Sequence, residues 1–241
     1  MVVWNFDCEW VLTPQQNRSR ITTTKILDAA YRLFTTRGYN ETSLQDVAAE
    51  SGVSIGAIYT RFNDKDAILY TIVDNYGRDV TNDFLKVFDR SNWLQSDASK
   101  IICGFIEIFF VDHREYTGIL NLIELRRLTD GLKIKVNSDY ISIVNNRLAD
   151  LLKEKLPEVS ESLITTRVAI AHHVLRTTIT GTSLLENSGA SPSFGMNDPT
   201  LRAELKRMML RYLGLPETLT DLDDNLPALQ LRMKWRPERQ F

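Results

Sequence analysis

Apolar residues recur at helical spacing along most of the chain. From Ile68 to Phe88 they repeat at every fourth position without an intervening proline, which predicts one long helix that begins at Asn63 or Asp64. No stretch alternates convincingly as a β-strand does. Further helical patterns follow at about 97–111, 114–129, 132–156, 160–187 and 198–213, with short polar, glycine or proline breaks such as Asp112-His113 and Pro157 between them. The pattern predicts an all-α protein of about nine helices.

Residues 42–62 contain two short helical patterns joined by a tight turn. Thr42 and Ser43 precede the first pattern, and either hydroxyl can accept the unpaired amide hydrogens of a helix start. Gly52 stands where that helix should end, because a glycine can adopt the left-handed conformation in which a chain leaves a helix sharply. Ser54 is then placed to cap the second helix. This spacing is typical of a helix-turn-helix unit.

The second of these helices has one apolar side and one slim side. Ile58 and Phe62, four residues apart, can face a core, while Gly56 and Ala57 leave the other side narrow enough to enter a DNA major groove. Arg61 is its only formally charged residue, so nothing on it would repel phosphates. An ordinary pair of helices would use the same caps, so this pattern favours DNA binding without requiring it.

Several short motifs follow one another between residues 20 and 70. In chain order they are Ile26-Leu27-Asp28-Ala29-Ala30-Tyr31-Arg32-Leu33-Phe34, Gly38-Tyr39, Thr42-Ser43, Gly52-Val53-Ser54 and Tyr59-Thr60-Arg61-Phe62-Asn63-Asp64-Lys65. This order resembles the N-terminal domain of the tetracycline-repressor (TetR) family of bacterial transcription regulators. Two positions depart from the family pattern, since Arg61 stands where His is common and Asp66 stands where Glu is common.

The resemblance implies that the second helix of the hairpin lies in the major groove of an operator. It assigns phosphate contacts to Thr42, Ser43, Tyr59 and Lys65, and contacts with base edges or thymine methyl groups to Ser54, Ile55, Ala57 and Thr60, with Gly56 on the same helix and Arg61 suited to either role. Arg18 and Arg20 can trail toward the DNA backbone or the minor groove. A dimer would place two such helices about 34–36 Å apart, to match a palindromic operator.

Four parts follow from the helical pattern and the resemblance. They are an N-terminal arm at 1–19, a three-helix helix-turn-helix DNA-binding domain at 20–66, a helical-bundle effector-binding and dimerisation domain at 67–215, and a C-terminal tail at 216–241. The tail is first acidic and then basic, so it can pack on a partner subunit or reach DNA, although a solvated tail is the simpler interpretation.

The helical body would enclose a pocket for a small-molecule effector, as it does in the TetR family. The lining candidates are Phe105, Glu107, Phe109, Leu120, Ile123, Glu124, Tyr140, His172, His173 and Thr177. The polar members stand in apolar stretches, where an ionisable group needs a partner or a function. The alternative for most of these residues is plain core packing.

Two apolar seams late in the chain suit the isologous contact of a twofold dimer. They consist of Ile164, Val168, Ala171, Leu175 and Ile179 on one helix and Leu201, Leu205, Met208 and Tyr212 on the next. The TetR family dimerises through its last helices. In a monomer, the same seams would close the core.

Composition and charge limit the remaining classes. The net charge is −2, and residues 18–66 carry seven basic and six acidic side chains, so binding to DNA should depend on a few placed contacts and on dimerisation. Two cysteines, Cys8 and Cys103, are too few for a disulfide scaffold. Neither a signal peptide nor a membrane-spanning stretch is visible, and we expect a cytoplasmic protein.

No motif for enzymatic chemistry is present. The chain lacks a nucleophile elbow, a phosphate-binding loop and zinc-ligand spacing, and its three histidines offer little metal chemistry. We expect no cofactor and no metal. The sequence therefore predicts a homodimeric repressor that a small-molecule effector releases from its operator. The alternatives are a DNA-binding dimer controlled by a partner protein or by no ligand, or an activator.

Overall fold

The computed structural model describes residues 4–12, 17–130, 135–189 and 193–217. This part of the chain contains nine α-helices, one short 3₁₀ helix and no strand, as the helical pattern predicts. The helices are α1 (Asn17–Thr36), α2 (Leu44–Ser51), α3 (Ile55–Tyr59), α4 (Lys65–Val87), α5 (Ala98–Glu115), α6 (Thr117–Asp130), α7 (Lys135–Lys155), α8 (Glu161–Asn187) and α9 (Pro199–Leu213), with the 3₁₀ helix at Arg90–Trp93. Most of the predicted tail, from residue 218 onward, lies outside the described residues.

Helix ends follow local capping chemistry. The carboxylate of Asp64 accepts a hydrogen bond from the amide of Ala67 at 2.7 Å, which agrees with the predicted start of α4. At the far end of the chain, Asp198 caps α9, and Gly214 ends it with φ 75°. The predicted break at Asp112-His113 is wrong, because α5 continues to Glu115. Polar residues alone do not end a helix whose buried face carries on.

The described residues form two compact units. The first consists of residues up to 79, together with α6 from residue 118 and the start of α7. The second consists of residues 80–117 and of the chain from 138 onward. Helix α4 contributes to both units.

The core of the first unit is built by α1, the α2–α3 hairpin and the first half of α4. Its fully buried side chains are Ile26, Leu27, Ala30, Val47, Ile58, Phe62, Ile68, Leu69 and Ile72. A segment N-terminal to α1 adds buried Trp4, Phe6 and Val11 to this unit. The sequence pattern did not predict that contribution, because the segment lies outside any helix.

In the second unit, α5 is buried on almost every side by α7, α8 and α9. Its residues from Ile101 to Ile108 are all buried, and Phe105 packs edge-on against Phe84 and Phe88. Phe88 in turn stacks on Trp93, and the centroids of the two side-chain rings are 5.2 Å apart. Apolar residues therefore lie on nearly every side of α5, which is typical of a helix at the centre of a core.

Candidate nucleic-acid interface

Helix α2 begins and ends as its capping residues predict. The Ser43 hydroxyl accepts from the Asp46 amide at 3.1 Å, and the Asp46 carboxylate accepts from the Ser43 amide at 2.8 Å, which completes a capping box. The Ser43 hydroxyl and the Ser43 amide both donate to the Asp46 carboxylate, and these two bonds lower the pKa of Asp46. At the other end, Gly52 has φ 67° and ψ 27°, and its amide donates back to α2. The turn into α3 is therefore fixed by local contacts.

Helix α3 is short, and one side of it is exposed. Its buried side carries Ile58, which has no exposed surface, and Phe62 just beyond its end is equally enclosed. Ser54 caps it through the Ala57 amide. The outward side chains include Ile55 and Tyr59, which are 36% and 54% exposed. Ile55 and Tyr59 lie four residues apart, so they share one exposed face of α3.

The predicted DNA contacts of α3 fall largely on this exposed side. Ser54, Ile55, Gly56, Tyr59 and Thr60 are exposed and Ala57 is half-buried, so the six lie on or beside one accessible face. Ser43, at the start of α2, is also exposed.

Arg61 is committed to α3 itself. Its guanidinium donates to the Ala57 carbonyl at 2.7 Å and to the Thr60 hydroxyl at 2.9 Å. A cation at the C-terminal end of a helix stabilises the carbonyls that have no partner within the helix. The structure therefore gives Arg61 a capping role beside the exposed face.

Thr42 and Lys65 are placed differently from the prediction. Thr42 is buried, and its hydroxyl donates to the Gly38 carbonyl at 2.8 Å, so that hydroxyl cannot also hold a phosphate. The Lys65 ammonium donates to the carbonyls of Tyr39 and Thr42, at 2.9 Å each. Burial, followed by the nearby charge of Arg126, lowers the pKa of Lys65. Lys65 thus anchors the α1–α2 turn with two of its three hydrogens, and one is left to meet a phosphate.

A cluster around Tyr39 links this turn to α6. The Tyr39 hydroxyl donates to Asp66 at 2.5 Å, and Arg126 of α6 donates to the same carboxylate at 3.0 Å. The guanidinium of Arg126 and the ammonium of Lys65 both lie over the Tyr39 ring, 4.2 and 4.0 Å from its centroid. Sequence reasoning missed Arg126, because 60 residues separate it from Asp66 and no local signal pairs them.

The basic residues beside α2 are largely neutralised. Arg32 pairs with Glu50 at 2.5 Å, and Arg37 pairs with Asp46 at 3.4 Å. Arg20 lies with its guanidinium 5.3 Å from the Phe6 ring, and the side chain of Arg18 lies outside the described residues. The net positive charge beside α2 is small, as the residue count predicts. Binding to DNA at this surface would therefore depend on a few placed contacts.

Several predicted effector-lining residues form solid core in the second unit. Phe105 and Phe109 pack edge-on against the ring of His172, at 5.4 and 5.6 Å. The recess that Phe105 and His172 line is only about 10 Å³, which is room for a single water molecule. Tyr140 packs against the same core, and burial raises the pKa of its hydroxyl.

The remaining effector candidates lie elsewhere. His173 and Thr177 are exposed on α8, so they do not line an interior space. Leu120, Ile123 and Glu124 belong to the first unit, where Glu124 pairs with Arg127 at 2.6 Å. Glu107 is fully buried, and it meets the Lys206 ammonium at 2.6 Å and the Arg202 guanidinium at 3.3 Å.

Described residues of the second unit line larger recesses as well. One, of about 190 Å³, is lined by Phe110, Arg114, Thr117, Ser183, Glu186, Met196, Asn197 and Arg202. Another is more open, has about 590 Å³, and is lined by Asn82, Leu85, Lys86, Asp89, Ser91, Asn92 and Arg147. None of the ten predicted effector residues lines either recess.

The predicted dimer seam is mostly turned inward. Ile164, Val168, Ala171, Leu175, Ile179 and Leu205 belong to the core of this chain, and Leu201 packs partly against it. A side chain that is already buried cannot meet a partner, so the six core residues need correction as contact residues, while Leu201 stays partly accessible. Met208 and Tyr212 are exposed, and so are Leu163, Ile170 and Leu185 on α8.

Metal and membrane chemistry find no support in the described part of the chain. No group of three or more His, Cys, Asp or Glu side chains there is arranged to hold a metal ion. Among the same residues, every helix is too short or too polar to cross a bilayer.

Comparison with known proteins points to one family. Residues 26–71 match the family described as "Bacterial regulatory proteins, tetR family". The uncharacterized HTH-type transcriptional regulator YuxN of Bacillus subtilis is 41% identical over 51 residues, which are 21% of this chain and 18% of that protein. The HTH-type transcriptional repressor BepR of Brucella suis is 28% identical over 159 residues, which are 58% of this chain and 73% of that protein.

The fold is also similar to that of solved structures. A gamma-butyrolactone receptor (ArpA like protein) superposes with a TM-score of 0.53 at 20% identity, and the match covers 90% of this chain and 99% of that one. At this identity the likeness shows the fold alone. The chain spans only 18 to 26% of the length of the first curated relatives that it matches.

Proposed function

The chain belongs to the tetR family of bacterial regulatory proteins, and from that premise we propose that it is a homodimeric DNA-binding transcriptional regulator whose α3 reads the major groove. The observation that carries the proposal is the two-sided character of α3. Ile58 is completely buried, while Ile55 and Tyr59 stand out from the same short helix. The family consists of regulatory proteins, so an enzymatic role is set aside.

The exposed face of α3 supplies the readout in this proposal. Ser54 and Thr60 offer hydroxyls to base edges, and Ile55 and Ala57 offer methyl groups to thymine. Gly56 keeps the backbone close to the groove floor. Tyr59, Ser43 and the remaining hydrogen of Lys65 hold phosphates, which fixes the register without reading sequence. Arg61 stiffens the end of α3 and contributes a positive charge near the backbone.

Dimerisation would use the exposed apolar residues of the last two helices. Ile170 and Leu163 lie seven residues apart on α8, and Met208 and Tyr212 lie four apart on α9, so each pair shares a helix face. These four side chains replace most of the seam that the sequence predicted. An isologous contact of two α8–α9 pairs would set the distance between the two copies of α3.

The proposal also includes control of DNA binding by a small molecule. BepR is named as a repressor, and the similar solved structure as a receptor for a gamma-butyrolactone. An effector acts only if it binds the DNA-competent and the incompetent head spacings with different affinity. Helix α4 contributes to both units and would carry the change. The 190 Å³ recess beside Arg202 and Phe110 is less open than the 590 Å³ one, and we assign it to the ligand.

One observation favours a second candidate function. Phe105 and His172 close around only about 10 Å³, where the sequence predicted an effector pocket. A body packed this tightly at its centre would suit a DNA-binding dimer that responds to a partner protein or to no ligand. Whether the protein represses or activates depends on where its operator lies relative to the promoter.

A binding assay tests the DNA-reading role. Operator DNA is first selected from a random pool with the full chain, and affinity is then measured by fluorescence anisotropy at physiological salt. Tyr59→Ala and Ile55→Ala should each weaken binding by about 10- to 100-fold, the range expected for one good base or backbone contact. Leu94→Ala removes a side chain of similar exposure in the second unit and should leave affinity unchanged. Full affinity in both α3 variants would overturn the assignment.

A further inference from the structure

The segment that precedes α1 is folded onto the first unit. We call residues 4–12 the N-terminal strap. Three of its side chains, Trp4, Phe6 and Val11, are no more than 9% exposed, so they belong to the core of this unit. Burying a large aromatic side chain removes apolar surface from water, which stabilises the folded unit. The strap is therefore a structural part of the unit.

One end of the strap joins α1 to α4. The Trp4 indole donates to the Asp28 carboxylate of α1 at 2.7 Å. The next residue is held by the side chain of Asn75 on α4, which accepts from the Asn5 amide at 2.6 Å and donates to the Asn5 carbonyl at 2.9 Å. Asn75 is buried, so these two bonds are shielded from water and strengthened.

The other end of the strap reaches the end of the helix that faces DNA. The Leu12 amide donates to the Arg61 carbonyl at 3.0 Å, just after α3. Between the two ends, Trp10 packs on Tyr70 with ring centroids 4.6 Å apart. The strap thus contacts α1, α4 and the α3–α4 junction with one continuous stretch of backbone.

The negative charge of the strap argues against direct contact with DNA. Residues 4–12 contain Asp7 and Glu9 and no basic residue. Acidic side chains repel phosphates, and the apolar side chains are already used inside the unit. Its contribution to DNA binding would have to be indirect.

We propose that the N-terminal strap is a positioning element, which holds α3 in the orientation that DNA requires by tying its end to α1 and α4. The inference rests on the proposed function, since it concerns affinity for DNA. When the strap detaches, only a fraction of molecules have α3 correctly placed, and the apparent affinity falls by that fraction. The contacts of α3 with the bases stay the same.

The experiment uses the full chain with Trp4→Ala and Phe6→Ala combined. Operator affinity should fall ~10-fold, the factor that corresponds to 1.4 kcal/mol. A peptide of residues 1–13, added at about 1 mM to match the effective concentration of a tethered segment, should restore most of the loss. Leu148→Ala is the control, because it opens a cavity in the core of the second unit and should leave affinity for DNA intact.

Hydrogen exchange provides a readout that does not need DNA. The amides of Phe62 and Thr60, which bond to carbonyls of α3, should exchange faster in the strap variant and not in Leu148→Ala. Unchanged exchange and unchanged affinity in a folded strap variant would overturn the inference. A loss of affinity that the peptide does not restore would also count against it. If the unaltered chain binds no DNA, the proposed function fails, and the exchange rates still decide whether the strap holds α3.

Discussion

The ammonium of Lys65 lies 4.0 Å from the centroid of the Tyr39 ring and donates to the carbonyl oxygen of that same residue. One side chain of α4 thereby fixes both the ring and the backbone of the α1–α2 turn. Arg126 lies over the ring as well, and Asp66 accepts from the hydroxyl. The aromatic ring at this turn is thus a junction for groups from α4 and α6.

Substitutions at Tyr39 should separate the two roles of its side chain. Tyr39→Phe removes the hydroxyl bond to Asp66 but keeps the ring, and we expect a loss of about 1 kcal/mol in the free energy of unfolding. Tyr39→Leu also removes the ring beneath both cations and should cost about 1 to 2 kcal/mol more. Urea unfolding at pH 7 measures both. Equal losses in the two variants would show that the cations contribute nothing.

Two glycines of the hairpin should respond to alanine in opposite ways. Gly52 has φ 67°, so Gly52→Ala should cost about 1 kcal/mol of stability, because a Cβ strains the left-handed conformation. Gly56 lies inside α3 with open space around it, and Gly56→Ala should stabilise the helix by up to about 1 kcal/mol. The same added methyl should weaken affinity for DNA, since it projects from the face proposed to enter the groove. Urea unfolding and anisotropy, run side by side, test the pair; a Gly52→Ala variant as stable as the parent would contradict the capping argument.

The fold should lose stability in mild acid. Burial lowers the pKa of His113 to about 4, and burial, followed by the charges of Arg176 and His173, lowers that of His172 to about 4. The unfolded chain takes up protons below about pH 6.5, while the folded chain does not until about pH 4. Stability is therefore full above pH 6.5 and falls between pH 6.5 and 4, by on the order of 2 to 3 kcal/mol for each histidine.

Variants assign this pH dependence to its source. Among the described residues, neither ring nitrogen of His113 has a hydrogen-bond partner, so His113→Leu should keep stability at pH 7 and flatten the decline toward pH 5. His173 is exposed and is the smallest of the three causes that lower the pKa of His172, so His173→Gln should leave most of the decline in place. The free energy of unfolding in urea is measured for the parent and for each variant, at pH 7 and at pH 5. A His113→Leu variant with the full decline would exclude this histidine as a cause.

The buried ion pair of Glu107 should show strong coupling. Glu107→Leu takes the carboxylate away from the buried ammonium of Lys206, and we expect a loss of roughly 3 to 5 kcal/mol. Adding Lys206→Met removes the stranded charge and should recover a large part of that loss. A double-mutant cycle by chemical denaturation gives the coupling energy. Additive losses would mean that the two charges are satisfied independently.

The proposed interface predicts a concentration-dependent assembly. Ile170→Glu and Met208→Glu place charges on the exposed faces of α8 and α9 and should convert a dimer into monomers, while the same change at exposed Leu94 should not. Sedimentation velocity measures the distribution. A dimer that survives both substitutions would place the interface elsewhere.

Local signals in the sequence predicted the hairpin well. Contacts between residues far apart in the sequence were not predicted. The capping box at Ser43, the turn at Gly52 and the buried Ile58 all follow from residues a few positions apart. The Arg126–Asp66 contact joins residues 60 apart, and only the folded chain brings them together. Neither the strap contacts nor this cluster leaves a periodic pattern to recognise.

The α8 seam illustrates a different limit. Its spacing correctly marks one apolar stripe from Ile164 to Ile179, but a stripe looks the same whether its partner is another helix of this chain or a second copy. The structure places that stripe inside, and leaves Ile170 on the outer side. Periodicity thus predicts that a face is covered and does not predict what covers it.

Helix α3 is only 5 residues long, which is too short to hold a helical shape on its own. Its helical shape depends on the packing of Ile58 and Phe62. Its outward side chains contribute little to that packing. In the proposed DNA-reading role, substitutions at Ile55 and Tyr59 can therefore change which DNA sequence is preferred at little risk to the fold. This separation leaves operator preference free to diverge among duplicated copies of the gene, and makes these positions the natural ones to randomise in a search for altered specificity.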